Sequence, residues 1–259
     1  MSEHVSVTDH GPVRVIRMDR PEKKNALTGA MYEPMREALL SADADGSGIG
    51  AVLFAGGTGV FTAGNDLADF VAMAGRPFSE SPPLRFIRQL ARTRTPMVAA
   101  VDGIAVGIGT TLTLHCDLVY ASPTARFRMP FVELGLVPEA ASSYLLPRRV
   151  GTLRATEMLM LSEACDADTA VGLGLANAVI PADMLEEHAM AQAARLAALP
   201  RGALAATRRL IRGDQAEVEA ALEAEAVAFD AQLRSAEAQD AFRAFFARGA
   251  ARPKTDAAA

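Results

Sequence analysis

The alternation of apolar and polar positions predicts a β-hairpin near the beginning of the sequence. Val5-Ser6-Val7 and Val13-Arg14-Val15 show the period of two that is typical of a half-buried strand. Between them, His10-Gly11-Pro12 contains the residue types that form tight turns. The two strands are therefore expected to pair.

After Thr28 the apolar residues recur with a longer period. The Thr28 hydroxyl is of the kind that caps a helix. Apolar residues three or four positions apart predict an amphipathic helix here. Its apolar face is formed by Met31, Met35, Leu39 and Ala42. Short apolar runs of strand length then alternate with helical segments, which indicates an α/β protein. These runs are residues 49–54, 96–101, 118–121 and 176–180.

From Asp183 onward the pattern is helical. We predict one last helix over residues 214–247 that is rich in large apolar side chains. These are Val218, Leu222, Phe229, Leu233, Phe242, Phe245 and Phe246. A surface helix has no need of so many, so this helix should pack on the core or on another subunit.

Two glycine-containing segments have the pattern of a strand, a tight turn and a helix start. They are residues 61–70, which include Gly64-Asn65-Asp66, and residues 101–109 with Gly107-Ile108-Gly109. Backbone N–H groups at a helix start have no partner within the helix. Two such donors aimed at one carbonyl oxygen would form an oxyanion hole. The alternative is a pair of ordinary glycine turns, with Asp66 as a local cap.

Glu139 follows Pro138 at a predicted helix start and has apolar neighbours. A carboxylate in apolar surroundings has a raised pKa, which suits a general base near neutral pH. The alternative is an acidic residue that interacts favourably with the helix dipole.

Four blocks, taken together, resemble the crotonase superfamily of enoyl-CoA hydratases and isomerases. The blocks are residues 20–27, 63–67, 103–109 and 130–143, and the resemblance extends from Val5 to Arg212. Among these enzymes the blocks are most similar to the peroxisomal type of Δ3,Δ2-enoyl-CoA isomerase, although Ala140 stands where those enzymes have glycine.

The resemblance implies an α/β crotonase (ClpP/crotonase-like) fold of repeated ββα units with a C-terminal helical trimerisation region. Residues 1–199 would form the catalytic core, and residues 200–259 a helical region with a flexible tail. The subunits would assemble as a homotrimer or a dimer of trimers.

The resemblance also implies an isomerase that moves the double bond of a 3-enoyl-CoA to the conjugated 2-enoyl position. Glu139 would be the single base, and the backbone N–H groups of Asn65 and Ile108 would form the oxyanion hole. The two glutamates of the hydratases align with Thr111 and Phe131, neither of which can act as acid or base. The alternatives are a hydratase or another crotonase-type acyl-CoA enzyme, which could recruit Glu133, and an acyl-CoA-binding protein without catalytic activity.

Further residues receive a substrate role from the same resemblance. The thioester and its CoA portion would lie against Lys24, Ala26, Ala63, Gly64, Asp66 and Leu67. The acyl pocket would be lined by Phe70, Met73, Leu84, Ile87 and Phe131. CoA is then part of the substrate, and no separate cofactor is expected.

Composition argues against several other classes of protein. A net charge of −5 and 5% aromatic residues argue against nucleic-acid binding. The four histidines are scattered, so no metal site is expected. No apolar stretch reaches the ~18 residues of a membrane span. Two cysteines and the lack of a Ser-Lys-Leu ending favour a reducing, cytoplasmic location.

Overall fold

The structure is a computed structural model that describes residues 3–73 and 77–251. The predicted hairpin is confirmed: β1 (Val5–His10) and β2 (Val13–Met18) are antiparallel, with Val5 opposite Met18. The turn between them includes Gly11, whose φ is +59°. A residue without a Cβ adopts this left-handed conformation at little energetic cost.

The hairpin forms one edge of a six-stranded sheet with the order β1-β2-β3-β5-β7-β10. From β2 onward the strands are parallel. The added strands are β3 (Ala51–Ala55), β5 (Met97–Val101), β7 (Leu118–Ala121) and β10 (Ala178–Val179). Every residue of β3 and β5 is buried, which explains why these segments are continuously apolar.

A smaller sheet has the order β4-β6-β8-β9. Its strands are β4 (Val60–Thr62), β6 (Ile104–Val106), β8 (Arg126–Arg128) and β9 (Cys165–Asp166). Along the chain, the strand pairs β1–β2, β3–β4 and β5–β6 are each followed by an α-helix, so the ββα repeat predicted from the resemblance is present.

The structure describes eleven α-helices within residues 3–73 and 77–251. Those of the first part are α1 (Gly29–Ala42), α2 (Leu67–Met73), α3 (Pro82–Arg92), α4 (Ile108–Thr113), α5 (Ser142–Val150), α6 (Thr152–Met160) and α7 (Ala167–Gly172). The last four are α8 (Ala182–Ala197), α9 (Arg201–Arg212), α10 (Gln215–Leu233) and α11 (Ala236–Ala251). None of the described helices is long and apolar enough to span a membrane.

The apolar face predicted for α1 is confirmed, since Met31, Met35, Leu39 and Ala42 are all buried. Thr28 does occupy the position before the helix, but its side chain makes no capping hydrogen bond. The predicted cap by the Thr28 hydroxyl is therefore wrong, whereas the predicted helix is confirmed.

The prediction of a single last helix is wrong, because the helix is interrupted between α10 and α11. The Ser235 hydroxyl accepts a hydrogen bond from the N–H of Ala238 at 3.1 Å and so starts a new helix. Five of the seven large apolar residues, up to and including Phe242, are buried in the main core, whereas Phe245 and Phe246 are 45% and 41% exposed. Most of this apolar surface therefore covers the chain's own core.

Candidate active site

The first glycine segment connects β4 to α2 and is held by the chain near Leu27. The N–H of Leu27 donates to the carbonyl of Gly64 at 2.8 Å, and the N–H of Asp66 donates to the carbonyl of Leu27 at 2.8 Å. The N–H of Asn65, between them, donates no hydrogen bond within the described part of the chain. The neighbouring hydrogen bonds fix its position, and it has no acceptor among the residues that the structure describes.

The second glycine segment places another donor of this kind. Gly107 has φ 55° and ψ −117°, a conformation reserved for glycine, and Ile108 is the first residue of α4. The carbonyl of Gly107 accepts hydrogen bonds from the N–H groups of Thr110 and Thr111, so the first helical turn begins at this residue. The N–H of Ile108 has no acceptor among residues 3–73 and 77–251.

The two segments touch at Gly64. Its φ is +86°, and a Cβ there would come within 2.7 Å of the carbonyl oxygen of Val106. Only glycine allows this approach. The absence of a side chain therefore sets the spacing between the two segments that contain Asn65 and Ile108.

Asn65 and Ile108 both line a cavity of about 200 Å³. Its wall is largely apolar and includes Phe70, Phe131, Leu134, Leu136, Phe229 and Phe245. An apolar cavity with a few convergent N–H donors fits a hydrophobic ligand that carries one polarised oxygen.

Glu139 lies beside the same helix start. Its side chain is buried, with 4% of the residue exposed, and the Thr111 hydroxyl donates to its Oε1 at 2.8 Å. Glu139 is not among the residues that line the cavity, but its hydrogen bond to Thr111 places it against α4, which contributes Ile108 to the cavity wall. Burial raises the pKa of Glu139 to about 8, the Thr111 hydrogen bond opposes the rise, and the Glu225 carboxylate adds to it.

The sequence predicts that Glu139 lies at a helix start, but the structure places it outside the helix. It precedes α5 by three residues, in a turn where Ala140 and Ala141 have φ of 59° and 56°. The position that is glycine in similar isomerases therefore does require positive φ, and here alanine adopts it. Left-handed backbone costs a residue with a Cβ roughly 1–2 kcal/mol.

Three polar contacts around Asn65 and Glu139 could not be predicted from the sequence. The Tyr32 hydroxyl donates to Oδ1 of Asn65 at 2.5 Å, the His115 ring meets the carbonyl of Ala140 at 2.8 Å, and Glu225 contacts the turn after Glu139. In the sequence, His115 is one of four scattered histidines. Glu225 is more than eighty positions from its partners, and no local pattern connects them.

The residues expected to contact CoA surround the first glycine segment. Ala63, Gly64 and Leu67 line the cavity, and Lys24 is exposed on the outside of the 20–27 segment. Asp66 caps α2 through the N–H of Ala68 at 3.0 Å and pairs with Arg20 at 2.8 Å. Burial disfavours ionised Asp66, but these partners outweigh it and lower its pKa.

The remaining expected residues are more dispersed. Ala26 is half-buried, and its carbonyl accepts a hydrogen bond from Arg20. Leu84 and Ile87 are buried on α3 and do not line the cavity. The side chain of Met73 lies outside the described part of the chain. Glu133 lines the cavity, but it is exposed and pairs with Arg128 at 2.6 Å.

A larger cavity of about 630 Å³ lies between α5, α9 and α10. Arg208 and Arg212, which line it, both pair with Asp117. Neither glycine segment reaches it. The free amide donors therefore identify the smaller cavity as the candidate active site.

A parallel-sheet fold of ββα repeats, two free backbone donors and a buried carboxylate define a protein of the crotonase class. The family model for enoyl-CoA hydratase/isomerase matches residues 8–253. The chain belongs to this family, as the four sequence blocks predicted.

Individual relatives include enoyl-CoA delta isomerases. Enoyl-CoA delta isomerase 2 of Rattus norvegicus is 34% identical over 253 residues, which are 95% of this chain and 64% of the rat protein. The peroxisomal enoyl-CoA delta isomerase 3 of Mus musculus is 32% identical over 216 residues, 82% of this chain and 68% of the mouse protein. This chain thus spans less than two thirds of the rat relative.

Solved structures confirm the fold. OdaA of Pseudomonas aeruginosa has a TM-score of 0.90 at 43% identity, with 94% of this chain and 99% of the other covered. An enoyl-CoA hydratase of Mycobacterium avium subsp. paratuberculosis K-10 has a TM-score of 0.82 at 30% identity, with 95% and 96% covered.

Proposed function

We propose that the protein is an enoyl-CoA isomerase that converts a 3-enoyl-CoA to the conjugated 2-enoyl-CoA. The observation that carries this proposal is the pairing of one buried carboxylate, Glu139, with the helix start that also presents the Ile108 N–H. Thr111 and Phe131 occupy the positions where a hydratase of this family has its glutamates, so the proposal assigns proton transfer to Glu139 alone.

In the proposed reaction, Glu139 removes a proton from C2 of the acyl group. Negative charge develops on the thioester oxygen, where the N–H groups of Asn65 and Ile108 can stabilise it. The same carboxyl group then returns the proton at C4, and the double bond moves by one position. A raised pKa near the working pH suits a group that must both accept and release this proton.

The substrate is proposed to lie with its thioester at the two free amides and its acyl chain in the apolar cavity. Phe70 and Phe131 line that cavity and would contact the acyl chain. The CoA portion would extend out of the cavity along residues 20–27, where the exposed Lys24 would contact a phosphate of CoA.

The proposal is tested with Glu139→Gln and a 3-enoyl-CoA, with product formation followed by the absorbance of the conjugated thioester. We expect kcat to fall by roughly 10²–10⁴-fold while acyl-CoA binding persists, because only proton transfer is removed. Glu133→Gln, which changes an exposed carboxylate in the cavity wall, should keep most of the activity. Undiminished turnover by Glu139→Gln would exclude this residue as the base.

Hydratase activity is the alternative, because solved relatives include hydratases. Specificity constants for isomerisation of 3-enoyl-CoA and for hydration of 2-enoyl-CoA should be measured on one preparation. The single carboxylate predicts that isomerisation is faster. Faster hydration would favour a hydratase, with Glu133 as the next candidate, whereas binding with neither reaction would indicate an acyl-CoA-binding protein.

A homotrimer or dimer of trimers is proposed for the assembly. Large apolar side chains are exposed on two helices of the second half of the chain, which a partner subunit would bury. They are Leu153, Met160 and Leu161 at α6, and Leu210 and Ile211 on α9. Light scattering at micromolar concentration tests this, and a monomer mass would contradict it.

A further inference from the structure

Helix α5 begins without a cap of its own. The residue before it is Ala141, which has no side-chain acceptor for the N–H groups of the first turn. Glu225, on α10, supplies the missing acceptors: its Oε2 accepts from the N–H of Ala141 at 2.6 Å, and its Oε1 accepts from the N–H of Ser143 at 2.8 Å. The Ser143 hydroxyl adds a third hydrogen bond at 2.5 Å. A distant helix therefore caps α5.

A second contact holds the opposite side of this turn. Nε2 of His115 lies 2.8 Å from the carbonyl oxygen of Ala140. A carbonyl can only accept, so Nε2 carries the proton. Burial lowers the pKa of His115 to about 4, so the ring is neutral at ordinary pH and this donor is constant. Glu225 and His115 thus fix the peptide units that directly follow Glu139.

We propose that Glu225 is a positioning residue for the reaction, because its hydrogen bonds to Ala141 and Ser143 fix the turn that directly follows Glu139 and so hold that carboxylate beside α4. Glu225 touches no substrate itself and acts through the turn. The left-handed conformations of Ala140 and Ala141 are unfavourable for residues with a Cβ, so the turn depends on such outside contacts. This inference rests on the proposed role of Glu139 as the base.

Glu225 also acts through its charge. Thr111 from α4 contacts Glu139 directly, Tyr32 from α1 and Glu225 from α10 interact with it electrostatically, and the neutral His115 contacts the Ala140 carbonyl beside it. Among them, the Glu225 carboxylate is the one that raises the pKa of Glu139 by repulsion. Burial raises the pKa of Glu225 itself, whereas its bonds to Ser143 and Ala141 favour the ionised form.

The test compares Glu225→Gln, which keeps the length but loses the charge, with Glu225→Asp, which keeps the charge but shortens the reach. Both should lower kcat for 3-enoyl-CoA by about 10- to 100-fold with little change in KM, since a misplaced base loses rate rather than binding. The midpoint of kcat/KM against pH should move to lower pH in Glu225→Gln and stay near wild type in Glu225→Asp. Ser143→Ala, which removes one of the three hydrogen bonds, should give a smaller loss of kcat.

Glu223→Gln is the matched control, because Glu223 lies on the same helix but pairs with Arg88 at the surface. It should leave kcat and the pH profile unchanged. If all three site variants retain wild-type kcat and pH dependence, the positioning role is wrong. If their losses follow only the folded fraction measured by circular dichroism, Glu225 is structural and the proposal also fails. Full activity of Glu139→Gln would instead overturn the proposed function, independently of the Glu225 variants.

Discussion

The Thr111 hydroxyl and the Glu139 carboxylate are joined by a hydrogen bond of 2.8 Å inside the protein. Thr111 lies one helical turn after Ile108 on α4. The same short helix therefore presents an amide donor toward the cavity and anchors the carboxylate proposed as the base.

Thr111→Val should shift the pH dependence of the reaction upward. The Thr111 hydrogen bond lowers the pKa of Glu139, so its loss raises that pKa further above the value of about 8. A base acts when ionised, and activity should therefore appear at higher pH than in the wild type. The check is kcat/KM for 3-enoyl-CoA across pH. An unchanged or lower midpoint would show that Thr111 does not stabilise the ionised carboxylate.

Glu139→Gln should stabilise the protein, and more so at higher pH. In the folded state the pKa is about 8 instead of 4.5, so between these values the folded protein binds more protons than the unfolded chain. Wild-type stability therefore falls as pH rises through this window, and the Gln variant escapes that loss. Thermal unfolding below about pH 5 and above about pH 8 measures the difference in Tm. Glu133→Gln serves as the control on an exposed carboxylate, and a difference in Tm that does not grow with pH would contradict the prediction.

Ile108→Pro should reduce activity severely, because it deletes one oxyanion donor. Proline is tolerated at the first position of a helix, which Ile108 occupies, so the fold should persist. Loss of one such donor lowers kcat by about 10²–10³-fold in comparable sites. Ile108→Val is the size-matched control with the N–H intact. Equal activities of the two variants, with both folded, would remove Ile108 from the oxyanion hole.

Asn65→Ala should cost stability through Tyr32 and not through the backbone donor. The Tyr32 hydroxyl is buried and donates to the Asn65 side chain, so the substitution leaves a hydroxyl without its acceptor at a cost of about 1–3 kcal/mol. Adding Tyr32→Phe should recover part of that loss. Denaturant unfolding of both single variants and the double variant measures the coupling, and strictly additive changes would mean that the pair contributes nothing.

The sequence predicts best what depends on neighbouring residues. The hairpin, the buried face of α1 and the apolar strands follow from local periodicity, and the structure confirms them. The break at Ser235 was missed because the residues on both sides favour helix, while one hydroxyl decides the boundary. The contact between Glu225 and Ser143 could not be predicted, since it depends on how α10 packs across α5.

The cap that α10 provides also orders the events of folding. Residues 139–143 leave the ribosome long before residue 225 has been synthesised. Until α10 docks, the N–H groups of Ala141 and Ser143 have no carboxylate to accept their hydrogen bonds, and the left-handed turn of the two alanines has only the His115 contact to support it. The nascent chain can therefore bury its parallel sheet first, but the turn that contains Glu139 reaches its final shape only after the C-terminal helices have docked.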